Sequence, residues 1–274
     1  MLTIFSLILG FILASLCGCG TKTDDTKDGR HFSDQADDQS GYQVHAFYVL
    51  PSDGPDKERD LDGTIENALN AVNAWFATQT GGPKLRLDTY KGHLDVTFHR
   101  LRKSNVRIEA QDHFAREEIE SELTSEGLID PKKLYFVVYE GSSDATCADA
   151  PSQPNVFGHV AVLYLQTDVD DYHCRSESFG VSGTEPGYLE FSALHEIVHT
   201  LGFVPSCAPH VTEVTHVSDD PNDLMYAGPL PWTPSVLDAN HDDYYMANIP
   251  GCRDLINSAL LDPLPSAPDL PPGW

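Results

Sequence analysis

Residues 189–203, LEFSALHEIVHTLGF, carry two histidines four positions apart, with a glutamate directly after the first: His195, Glu196 and His199. Four residues advance an α-helix by about 400°, so both imidazoles project from one face, about one turn apart. At that separation one Zn²⁺ can take a nitrogen from each at about 2.0–2.1 Å. Glu196 falls beside them, placed to take a proton from a water that such a cation acidifies, without being a ligand itself. The bland alternative is a helix bearing two solvated histidines. Leu194, Ile197, Val198 and Leu201 supply the apolar stripe that would bury the rest of the helix. Gly202 comes three residues after His199, where a residue without Cβ lets the chain leave its helix abruptly and swing back.

Further on, Asp223-Leu224-Met225-Tyr226 resembles the Met-turn of the metzincins, and HExxHxxG followed by a Met-turn is the signature of that superfamily. The resemblance covers residues 189–226. It implies a zinc endopeptidase in which a twisted mixed sheet and the active-site helix lie above a cleft. A smaller, irregular C-terminal subdomain lies below, with Met225 as an apolar floor under the metal. The pattern's third histidine should stand three residues after the glycine, but that position holds Pro205. His210 and His216 are the available substitutes, and Glu213 or Asp219 would make an acidic third ligand. The stretch 216–226, HVSDDPNDLMY, is similar to the matrixin segment joining third ligand to Met-turn, and Met225 follows His216 by nine residues. His216 is therefore the expected third ligand, and residues 203–215 read as an insertion. Three protein ligands leave one position for water, so the expected activity is hydrolysis of a protein or peptide substrate with Glu196 as general base. Two rivals stay open: a surface-anchored binding protein with a structural zinc, which would not need Glu196, and a zinc hydrolase of non-peptide amides or esters. Tyr188 and Tyr226 are weaker possibilities for assisting the oxyanion.

The elements that must hold these residues follow from hydrophobic patterning. Residues 44–50 and 134–139 are continuous apolar runs, as in strands buried on both faces. Ile65, Leu69, Val72 and Phe76 fall at helical spacing, and the helix should end at Gly81-Gly82-Pro83. Residues 84–89 and 93–101 read as strands. Ile108, Ala115, Ile119 and Leu123 mark a second amphipathic helix. Residues 159–166 form a further strand, either the sheet edge that pairs with an extended substrate or an internal one. The order implies an α/β (α+β) fold, a mixed sheet with two packed helices plus the active-site helix. The expected domain covers residues 42–262, its N-terminal subdomain ending near 203, and a Pro-rich tail at 263–274 should run extended and loosely held.

Upstream, residues 1–18 contain no charged side chain and end in small residues, the layout of a signal peptide. Leu16-Cys17-Gly18-Cys19 resembles a bacterial lipobox, which implies cleavage before Cys19 and a lipid on its sulfur; the alternative is an ordinary cleaved signal with incidental cysteines and a secreted, extracellular chain. Residues 19–41 should then form a flexible, solvated tether. The other four cysteines suggest two disulfides in an exported protein, and sequence neighbourhood favours Cys147–Cys174 and Cys207–Cys252.

Across its 274 residues the chain has 42 acidic and 17 basic side chains, a net charge of −25 that argues against nucleic-acid binding. Membrane contact is expected only through the lipid, and the expected form is a monomer. Two acidic stretches, 219–223 and 238–243, offer oxygen donors for Ca²⁺. Neither matches an EF-hand loop, so solvated turns are expected there.

Overall fold

The structure is a computed structural model that describes residues 26–27, 29–151, 156–167, 174, 179–180, 185–212, 215–229 and 231–273. The signal segment, Cys17, Cys19 and Glu213 lie outside the described residues.

In chain order the elements are β1 (Thr26–Lys27), β2 (Arg30–His31), β3 (Gln43–Leu50), α1 (Thr64–Thr80), β4 (Lys84–Leu85), β5 (Thr89–Tyr90), β6 (His93–Leu94) and β7 (Val96–Arg100). Then come α2 (Asn105–Glu109), α3 (Ala115–Ser125), β8 (Lys133–Tyr139), β9 (Ala148–Asp149), β10 (Val160–Tyr164), α4 (Tyr188–Thr200) and β11 (Leu261–Asp262). Seven strands form one mixed sheet in the order β1-β2-β7-β3-β8-β10-β9. Every pairing from β2 to β10 is parallel, while β1 and β9 run antiparallel at the two edges.

The strands β3, β8 and β10 are buried at every position, because helices cover both faces of the sheet. Their two-residue alternation sorts the side chains. Ala46, Tyr48, Phe136, Val138, Ala161 and Leu163 pack towards α1 and α4. Phe47, Val49, Tyr135, Val137, Val160 and Val162 pack towards α2 and α3. β10 is internal, since β9 pairs along its outer side and is itself the last strand of the sheet among the described residues. The second amphipathic pattern is also divided: α2 ends at Glu109, a 3₁₀ turn spans Asp112–Phe114, and α3 starts anew. Asp112 has φ of 51°, a left-handed conformation that breaks the helix.

Two segments expected to be loose are held in their described parts. Within the supposed tether, β2 adds to the sheet beside β7, and Arg30 binds Asp56 and Asp60. The Lys133 ammonium collects Asp34, Asp37 and Asp88 at 2.6, 2.7 and 2.7 Å. A polar, aperiodic sequence signals no core contact, but its carboxylates here neutralise a buried lysine. In the Pro-rich tail, Asp269 exchanges backbone bonds with Asn257 and Ala259, and Arg253 donates to the Leu270 carbonyl at 2.9 Å. Chain after α4 is irregular among the described residues, apart from 3₁₀ turns and β11, which pairs with β4. Both expected disulfides form, with Cα separations of 5.3 Å for Cys147–Cys174 and 5.9 Å for Cys207–Cys252.

Candidate metal centre

The helix α4 carries the central motif because both its start and its inner face are secured. Glu190 accepts from the backbone N–H of Gly187 and of Gly180, at 3.1 and 2.8 Å, tying down the first turn. Leu189, Ala193, Leu194, Ile197 and Val198 are buried in the core shared with α1 and the sheet. The opposite face turns His195 and His199 towards the chain that follows.

Beyond the helix, Gly202 adopts φ of 89°, and a Cβ there would collide with Arg253 and Pro272. The loop then returns through a ladder of backbone bonds, Val204 to Thr215 (3.1 Å), Thr212 to His216 (2.7 Å) and Val217 to Met225 (2.9 Å). Cys207–Cys252 pins its outermost part. This ladder delivers His216 to the motif.

The Nε2 atom of His199 lies 3.1 Å from that of His195 and 3.1 Å from that of His216. His195 Nδ1–H donates to the Leu224 carbonyl at 2.7 Å, and His199 Nδ1–H donates to the Phe203 carbonyl at 2.9 Å. Each bond fixes the tautomer that turns a bare Nε2 lone pair inward. Burial, reinforced by neighbouring imidazoles, lowers the pKa of His195 to about 3 and that of His199 well below its usual value, so both stay neutral. Lone pairs that converge this closely repel unless a cation sits among them. Tetrahedral Zn²⁺ bonded at 2.0–2.1 Å would set its nitrogens about 3.3 Å apart, close to the separations seen. The donor set fits zinc.

His210 does not join this group. Its Nδ1 lies 3.0 Å from Asp243 and 3.6 Å from Asp219, so the two acidic stretches meet around it as an ion-paired anchor for the loop. Asp223 shapes the turn before Met225. Its carboxylate accepts from the N–H of Met225 and of Ala239, both at 2.7 Å, and from the Tyr244 hydroxyl at 3.0 Å. Met225 is fully buried, and its neighbour Leu224 holds His195.

Two cavities flank the three histidines, and both Glu196 and His216 border each of them. One, of about 310 Å³, is walled by Tyr188, Tyr226 and Trp232. The other, of about 380 Å³, runs towards Asp112, Asp149 and Tyr164. Burial, aided by the charge of Asp149, pushes the Glu196 carboxyl well above its usual pKa, which suits a group that takes up a proton. Trp232 stacks edge-on against His195 at 5.7 Å while its Nε1–H donates to the Asp223 carbonyl at 3.1 Å. Tyr226 donates to the Pro229 carbonyl at 3.3 Å. Nothing local in the sequence marks Trp232, Asp149 or Tyr164, because each enters the cleft wall from a different segment.

No protein-family model matches the chain, and no curated protein matches it in sequence. Among solved structures it is similar to OgpA from Akkermansia muciniphila, with a TM-score of 0.37 and 16% identity over 62% of this chain and 51% of that one. Archaemetzincin from Methanopyrus kandleri is similar with a TM-score of 0.37 and 13% identity, over 67% of this chain and 81% of that one. Metalloproteinase-II from Bacteroides fragilis gives 0.36 and 20% identity, over 74% and 52%. The chain thus spans about half the length of OgpA and of metalloproteinase-II.

Proposed function

We propose that the protein is a zinc-dependent endopeptidase of metzincin type. The observation that carries this reading is the convergence of three Nε2 atoms, from His195, His199 and His216, beside Glu196 in an open cleft. Those three histidines would hold the ion. When bound, Zn²⁺ supplies a Lewis acid that polarises a carbonyl and acidifies water. Glu196 takes the proton of the attacking water and delivers it to the departing amine nitrogen. Met225 packs beneath as an apolar floor, and the backbone of Leu224 keeps the His195 ring from rotating. The strand β9, last in the sheet among the described residues, lies against both cavities and can pair with an extended peptide, aligning the scissile bond over Glu196.

A structural zinc would not require a carboxylate beside an open cleft, so Glu196 separates the two readings. Glu196→Gln should bind zinc and melt like the parent while its peptide turnover falls more than ~10²-fold, the loss of a general base. Cleavage of a diverse peptide library, read by mass spectrometry with and without a chelator, is the direct assay. Turnover that survives either chelation or the substitution would defeat the reading. We also propose export, with a lipid thioether on Cys19 as anchor and the monomer as working unit. The two disulfides support an oxidising compartment.

A further inference from the structure

The larger cavity beside the metal centre has a charge balance that the hydrolytic step does not explain. Arg116, buried beneath it, is shared by three carboxylates. Its Nη1 lies 2.5 Å from Glu120 and its Nη2 lies 2.9 Å from Glu117. Asp149 is 3.9 Å from Nε, beyond hydrogen-bond reach, yet it is the member of the three that faces the cavity. Among the described residues no lysine or arginine lines this space. The charged walls among the described residues are Asp112, Asp149 and Glu196, with His113, His199 and His216 beside them. Burial pushes the Asp149 carboxyl up to about 6, as befits a carboxylate short of counter-charge.

A second observation is independent of the acids. Tyr164 also lines the cavity and is 1% exposed, but its hydroxyl makes no hydrogen bond to any described residue. Buried phenols ordinarily find a partner. An anion here would be repelled, and an apolar side chain would strip water from Asp149 and Tyr164 while bonding neither. An ammonium or guanidinium group can donate to both. Since Glu196 and His216 border this same cavity, a residue seated in it lies close to the bond being cut.

We propose that this cavity, at the β9 edge opposite the 112–113 turn, is the subsite for a lysine or arginine side chain of the substrate peptide, with Asp149 as its counter-charge and the Tyr164 oxygen as a second acceptor. This rests on the peptidase reading above. It assigns the substrate a basic residue at one fixed place relative to the scissile bond, which the overall acidity of the chain does not.

The test uses the full zinc-loaded protein in two arms. In the first, cleavage of a diverse peptide library should show lysine and arginine enriched at one position beside the cut. Matched peptides with lysine, norleucine or glutamate there should differ in kcat/KM, with lysine exceeding norleucine about 10- to 100-fold, as expected for a partly desolvated charge pair. Asp149→Asn should bring the lysine-to-norleucine ratio towards one, and Asp149→Lys should favour the glutamate peptide, a reversal that misfolding cannot produce. In the second arm, calorimetry on the Glu196→Gln protein reads peptide binding without turnover. Asp149-dependent binding of the lysine peptide with no cleavage by the parent would support the subsite and sink the peptidase reading. Zinc-dependent cleavage with no basic preference, or a preference untouched by Asp149→Asn, would overturn the subsite and leave the peptidase standing. Neither binding nor cleavage would overturn both.

Discussion

At the scale of single residues, position along the chain says less than what holds each side chain. His210 and His216 both follow the helix closely enough to serve as a third ligand, and the backbone decides between them. His216 is registered by bonds to Thr212 on one side and, through Val217, to Met225 on the other. His210 is drawn to Asp243 on the outer side of the loop. His216→Ala should therefore lose most bound zinc, while His210→Ala should keep a full equivalent, as measured by metal analysis after gel filtration. Equal zinc in both variants would remove His216 from the centre. Asp223 makes a second residue-scale case. Burial raises its pKa from an ordinary 3.8 to about 7, so the folded chain binds this proton more tightly than the unfolded chain does. Its contribution to stability is full below about pH 4 and gone once pH passes about 7. Asp223→Asn cannot titrate and leaves one of three donors unserved. It should melt lower than the parent at every pH, with the gap widest near pH 4 and narrowing towards pH 7. A constant gap in thermal scans would show that this carboxyl does not titrate in that window.

At the scale of elements, the sequence was most legible where structure is local. The helix α4 could be read from its own apolar stripe, and the nine-residue interval from His216 to Met225 pointed to the third histidine. The strands β3 and β8 were equally plain, because burial on both faces leaves uninterrupted apolar runs. Legibility failed where distant segments cooperate. Nothing in Ile108, Ala115 and Ile119 shows that the helix breaks at Asp112, since a left-handed residue does not disturb the apolar spacing around it. Nor does an aperiodic acidic stretch reveal that Asp34 and Asp37 meet Lys133 nearly a hundred positions later. That contact can be dissected. Asp34→Asn with Asp37→Asn should free residues 29–40 to proteolysis at a cost of about 1 kcal/mol or less, because both carboxylates are partly exposed. Lys133→Met should cost more, roughly 3–5 kcal/mol, because it takes the lysine from the fully buried Asp88 and leaves that carboxylate to the His45 ring alone, 2.6 Å away. Limited proteolysis and chemical denaturation read the two effects separately, and equal losses would contradict this division of labour.

At the scale of the whole molecule, the sheet order has a consequence for how the protein meets its surroundings. The strand β1 lies at one margin of the sheet and β9, which borders the cleft, at the other. Six interstrand steps of about 4.8 Å put roughly 29 Å between them. If acylated Cys19 is the sole anchor, Cys19→Ser should move the protein from the membrane fraction to the soluble one on centrifugation, and continued sedimentation would refute the anchor. Whatever is joined upstream of Thr26 departs from the margin remote from the cleft beside the three histidines. Tethered by that end, the groove would look outward from the bilayer, and a bulky folded protein could be approached as readily as a short diffusing peptide.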